Sequence, residues 1–123
     1  SSLQIAPLSR RELRKISGLS FEDGSRLDLH GLYQREAYKV LSVFLQRAQT
    51  MGYRYVLVIT GKGSNMAIGD RIETKIEEKC VLLRSLPRLL AEPSFRHLVV
   101  NYGPAHIRHG GTGAFYIRVR RGR

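Results

Sequence analysis

Asp28 and His30 stand two residues apart in Leu27-Asp28-Leu29-His30-Gly31. Histidine takes up and releases a proton near neutral pH, which suits general acid or base work. A carboxylate on the same side of the backbone could orient that ring or hold it protonated. The alternative is structural, with Asp28 capping the turn that follows. Thr60-Gly61-Lys62-Gly63 is a second cluster. Glycine-rich backbone with one lysine can cradle a phosphate through its N–H groups. It lacks the spacing of a P-loop, and a plain turn with a solvated lysine fits it equally well. His109-Gly110-Gly111-Thr112-Gly113 is a third, with three glycines in five residues, which permits close backbone approach to a ligand. There His109 either binds phosphate, assists His30 or belongs to a flexible turn. Arg108, Arg118, Arg120, Arg121 and Arg123 make residues 108–123 rich in arginine and free of acids. That end is either a phosphate track or a solvated tail. His97 and His106 read as structural or surface residues.

These residues need elements to position them. Residues 26–30 alternate strictly, as a half-buried strand does, with Leu27 and Leu29 on one face and Asp28 and His30 on the other. Over 34–51, Ala37, Val40, Leu41, Phe44, Leu45 and Ala48 form one helical apolar stripe, and Gly52 ends it. Residues 54–60 are apolar on both faces, a second strand. Strand, helix and strand predict a βαβ unit with parallel strands and a right-handed crossover. Residues 61–79 read as a long, partly mobile loop with one or two helical turns. Residues 80–91 read as a second helix kinked at Pro87. Strands follow at 97–102 and 114–120, with a glycine-rich connection from Gly103 to Gly113. Phe115, Ile117 and Val119 face one way, while Tyr116, Arg118 and Arg120 face the other. The expectation is an α/β two-layer sandwich: a four-stranded mixed sheet with two main helices in β-α-β-α-β-β order. One sheet face is covered; the other, carrying Asp28, His30, Tyr116, Arg118 and Arg120, is at least partly open. Residues 1–25 form a basic N-terminal extension to the domain at 26–123. They hold either a short helix near 9–16, signalled by the capping-box spacing of Ser9 and Glu12, or a flexible linker.

Composition narrows the partners. The 123 residues carry 21 Lys and Arg against 10 Asp and Glu, a formal net charge of +11. A charge this large on a chain this small favours an anionic partner, nucleic acid first. No apolar run approaches membrane-spanning length, and the one strong amphipathic helix has too few cations opposite its stripe for a membrane surface. Ser1-Ser2-Leu3-Gln4 shows no signal-peptide pattern, and the chain reads as cut from a longer protein. Cys80 is the one cysteine, so no internal disulfide forms, and a reducing cytoplasm fits. The acids cluster in 70–78, which speaks against a tight metal cluster of the two-metal nuclease kind. A loosely bound divalent cation stays compatible.

Taken together, Leu27-Asp28-Leu29-His30-Gly31, Thr60-Gly61-Lys62-Gly63, and His109-Gly110-Gly111-Thr112-Gly113 ahead of Ala114 to Arg121 resemble the small MutS-related (Smr) domain family over about residues 26–121. Val81 to Leu90 resembles the family's second helix. The resemblance implies a two-layer sandwich similar to the C-terminal domain of a translation initiation factor. It also implies nucleic-acid binding with endonuclease activity, on DNA in some members and on messenger RNA of stalled ribosomes in others. It maps catalytic roles onto Asp28 and His30, and the Gly-x-Gly element onto Gly61, Lys62 and Gly63. The chain departs from the family at Thr60, where histidine is frequent, and at Cys80, where glycine is usual. The expected mechanism uses His30 as general base or acid and Asp28 to orient it. Gly61, Lys62, Gly63 and His109 to Gly113 contact phosphate, and Arg118, Arg120 and Arg121 position the strand. The alternative is a non-catalytic module binding nucleic acid or the ribosome. A monomer is expected, with no membrane partner.

Overall fold

A computed structural model describes residues 5–61 and 85–122. The expectations placed on 61–79 and 80–91 therefore fall largely outside the described residues, as do Lys62, Gly63 and Cys80. Chain order is α1 (Arg10–Ile16), β1 (Arg26–Asp28), α2 (Gln34–Met51), β2 (Tyr55–Ile59), α3 (helical at 85–90), α4 (Pro93–Arg96), β3 (Val99–Pro104) and β4 (Ala114–Val119). No helix among the described residues is long and apolar enough to cross a membrane.

The four strands form one mixed sheet in the order β1-β2-β4-β3. β1 and β2 are parallel, with Arg26 opposite Leu57 and Asp28 opposite Ile59. β4 runs antiparallel to both β2 and β3, so Ala114 pairs with Ile59 and Arg118 with Tyr55. The start of β4 therefore meets the carboxyl ends of β1 and β2. α2 is capped at its start by Tyr33, whose N–H donates to Glu36 Oε1, and at its end by Gly52 with φ +84°. Ala37, Leu41, Leu45 and Ala48 are fully buried against Val56, Val58, Ile117 and Val119. Val40, expected in that stripe, lies on its exposed rim.

The other sheet face, expected to be at least partly open, is covered over β2 and β4 and stays open at β1, where Arg26 and Asp28 are exposed. Ser9 caps α1 by accepting from the Glu12 N–H. Leu8 and Ile16, with Leu13 and Phe21 beside them, then cover Tyr55, Leu57, Ala114 and Tyr116. Ile16 and Tyr116 have no exposed surface at all. The N-terminal segment is also stitched on by hydrogen bonds: the Leu8 N–H donates to the Tyr102 carbonyl at 2.8 Å. The physical reason is the composition of β2, whose outward Tyr55 and Leu57 are as apolar as its inward Val56 and Val58. Leaving them wet would cost about 25 cal/mol for each Å² of apolar surface.

Candidate active site at the carboxyl ends of the parallel strands

β1 stops after Asp28 because the chain turns away. The Leu29 N–H still pairs with the Ile59 carbonyl at 2.7 Å, but the His30 N–H donates to Asp28 Oδ1 at 2.9 Å, and Gly31 takes φ +88°. The Asp28 carboxylate thus shapes the turn rather than clasping the imidazole. Among the described residues neither ring nitrogen of His30 has a hydrogen-bond partner, and the residue is exposed.

The parallel crossover brings His30 to the end of β2. Gly61 has φ +83°, and a Cβ there would stand 3.4 Å from His30 Cδ2 and 3.6 Å from His30 Cβ. The ring therefore lies against bare backbone. The N–H groups of Thr60 and Gly61 both donate to the Gly113 carbonyl, at 2.8 and 3.0 Å. His30, Gly61 and Gly113 consequently share one corner. Thr60 is buried, with its hydroxyl 3.3 Å from the Gly113 carbonyl, so it fastens this corner and offers no second acid or base.

The segment before β4 is two turns of 3-10 helix, Ile107–His109 and Gly111–Gly113, rather than a flexible connection. The N–H groups of Gly110, Gly111 and Gly113 donate to carbonyls of the same loop. Glycine is required at Gly110, where φ is +121° and a Cβ would come within 2.8 Å of Ala114 Cβ. These amides hold the loop's own shape, while Thr112 is exposed on it.

His109 has a different role from the phosphate contact expected of it. Its Nε2 lies 3.1 Å from the Leu19 carbonyl, so Nε2 carries the proton and donates. Its Nδ1 lies 2.6 Å from the Tyr116 hydroxyl and accepts from it in the neutral ring. That hydroxyl in turn accepts from the His106 N–H. Phe21 packs edge-on to the His109 ring at 5.1 Å. His109 thus rivets the N-terminal segment to the last strand. Burial holds its pKa below the ordinary 6.5, outweighing the Leu19 carbonyl, and Arg108 and His106 push the same way. A depressed folded pKa means that the network stabilises fully above pH 6.5 and that this contribution is lost as pH falls. The protection factors of the Leu19–Phe21 amides, corrected for an intrinsic exchange rate that itself slows with falling pH, should therefore drop from about pH 7.5 to 5.5. The drop should vanish in His109→Gln; equal protection at both pH values would refute the rivet.

The arginines expected to position the strand lie away from this corner. Arg118 pairs with Tyr55 at the opposite end of β2, and its Nη1 donates to Glu12 Oε2 at 3.0 Å. Arg120 donates from Nε to the Arg96 carbonyl and from Nη2 to the Val99 carbonyl. At ~3.4 Å per residue, six residues of strand separate Arg120 from Ala114 by about 20 Å. Glu12 and Tyr55, which meet at 3.3 Å beside Arg118, had no signal of this pairing in local spacing. Among the described residues no group of three or more His, Cys, Asp or Glu side chains stands close enough to hold a metal.

A family model for the Smr domain matches residues 27–120. The crystal structure of YdaL, a stand-alone small MutS-related protein from Escherichia coli, is similar to this chain with a TM-score of 0.64 and 27% identity, over 95% of this chain and 81% of that one. The Smr domain of Thermus thermophilus MutS2 aligns with a TM-score of 0.49 and 24% identity, over 78% of this chain and 98% of that one. No curated protein sequence matches the chain. The match to residues 27–120 spans the sheet, α2 and the corner at His30, Gly61 and Gly113: the chain belongs to the Smr domain family, a family of nuclease and nucleic-acid-binding domains.

Proposed function

We propose that the domain is an endonuclease that cleaves phosphodiester bonds at the corner formed by His30, Gly61 and Gly113. The observation that carries this reading is the exposed imidazole, both ring nitrogens unengaged among the described residues, resting on glycine backbone at the carboxyl ends of two parallel strands. Ligands of open α/β sheets bind at such an edge. A bare glycine lets a phosphate approach the ring without meeting a side chain. In the cleavage step a water or ribose hydroxyl oxygen bonds to phosphorus and loses its proton to a His30 nitrogen, while the bond from phosphorus to the leaving oxygen breaks and that oxygen takes a proton from solvent water. Asp28 is a positioning residue: it holds the turn that presents the ring. Lys62, next along the chain from Gly61, supplies the positive charge for the developing phosphorane.

One observation favours a second reading. Asp28 is committed to a backbone N–H, which leaves the ring without a carboxylate partner among the described residues, as in a module that only binds. Labelled DNA and RNA, single- and double-stranded, incubated with the pure protein with and without a chelator, separate the two. Appearance of nicked or cut product supports the enzyme. Retained binding with no product on any substrate would leave the binding module.

A further inference from the structure

The end of the sheet away from His30 carries a cleft of about 380 Å³ between the C-terminal turn of α2 and the end of β4. Gln49, Tyr53, Arg54, Arg118, Arg120 and Arg121 line it, and among the described residues no acid does. Glu12 reaches it only through Arg118. Arg118 and Arg120 are held in place rather than waving. Arg120 spends two of its five N–H donors on the Arg96 and Val99 carbonyls, which leaves three to give. Gln49 Nε2 fixes the same strand end by donating to the Arg120 and His97 carbonyls. The Arg54 guanidinium lies 5.9 Å from the centre of the Tyr55 ring. A guanidinium oriented before binding loses less freedom on gripping an oxyanion, and its fork suits a phosphate.

Resting on the nucleic-acid reading above, we propose that this cleft is a second phosphodiester-binding site. It grips the backbone of the same nucleic acid about 20 Å from His30, the length of roughly six base steps at ~3.4 Å each. The substrate class is then an extended strand or duplex, and a fragment of a few nucleotides reaches only one of the two sites.

The test compares the full chain with R54Q/R121Q, since neither side chain donates a hydrogen bond among the described residues. Circular dichroism and thermal unfolding confirm the fold, and the single R121Q variant serves if the double variant does not fold. Duplexes of about four and about fourteen base pairs, each closed by a hairpin loop so that the short one stays paired, are titrated across salt concentrations, the longer length being roughly twice the span between the sites. For the long duplex the slope of log affinity against log salt should fall by about 1.8 in the double variant and ~0.9 in the single one, with roughly 50-fold weaker binding at 0.1 M salt for the double variant. Binding of the short duplex at His30 should stay within about twofold, well short of the loss of one phosphate contact. An unchanged slope in a wild type that binds nucleic acid overturns the cleft alone. Equal losses for short and long duplexes do the same, as does wild-type binding that ignores length and yields equally to polyglutamate, which would assign the cleft to acidic protein. A wild type that binds no nucleic acid overturns this proposal together with the proposed function.

Discussion

His30→Ala should lower phosphodiester cleavage by about 10²–10⁴-fold, the usual worth of a positioned acid or base, while binding changes little. The side chain is exposed and makes no hydrogen bond through its ring among the described residues, so its removal leaves the core and the sheet untouched. Unfolding curves of wild type and variant should superimpose. Asp28 offers a sharper check, because its contact is to the His30 backbone N–H and not to the ring. Asp28→Asn keeps an acceptor oxygen in that place and should retain most of the activity. Asp28→Ala loses the turn and should fall about tenfold, equivalent to ~1.4 kcal/mol of transition-state stabilisation. If Asn is as damaged as Ala, the carboxylate acts by its charge and the positioning role is wrong. Unchanged cleavage in His30→Ala would remove His30 from the mechanism.

Ile16→Ala should destabilise the fold by about 2–5 kcal/mol, the range for truncating a fully enclosed aliphatic side chain. Whole domains of this size are stable by about 5–15 kcal/mol, so the effect is a large share of the total. Ile16 is completely buried, wedged with Leu8 onto Tyr55, Leu57 and Tyr116. Val43→Ala is the matched control on α2; its site is 59% exposed, and such surface changes usually stay within ~0.5 kcal/mol. Urea unfolding monitored by tyrosine fluorescence reads both. A loss below ~0.5 kcal/mol for Ile16→Ala would show that α1 does not stay on the sheet in solution.

Where local spacing decides structure, the sequence was readable. The stripe from Ala37 to Ala48 gave α2 its limits, and the alternation at 26–29 gave β1 its faces. The right-handed crossover then required His30 to lie beside Gly61, which is where it stands. The covered second face was also announced, though easily misread: Tyr55 and Leu57 made β2 apolar on both sides. What hid the cover is α1 itself. Its seven residues bury one side chain completely, and that one sits among Arg10, Arg11, Arg14 and Lys15. His109 could not be read from its neighbours at all, since its partner Leu19 is 90 residues away. Alternation gave Arg118 its face but not the end of the sheet it reaches. Strand direction carries that information, because an antiparallel β4 starts where β2 finishes and its arginines come last.

The strand order β1-β2-β4-β3 has a consequence for how the chain acquires its structure. β4 is the last strand made and occupies an interior place, joining β2 to β3. Until it emerges during synthesis, β3 has no partner in the sheet, and the surface that receives α1 lacks Ala114 and Tyr116. Glu12 must wait 106 residues for Arg118. Contacts of such separation carry a loop-closure cost before they return any stabilisation, which slows folding. At about 5–20 residues per second of translation, the α1 segment waits several seconds with Leu8, Leu13, Ile16 and Phe21 only partly covered. The arginines and lysine of α1, interleaved with those apolar residues, keep that waiting segment charged, as gatekeeper residues do against premature association.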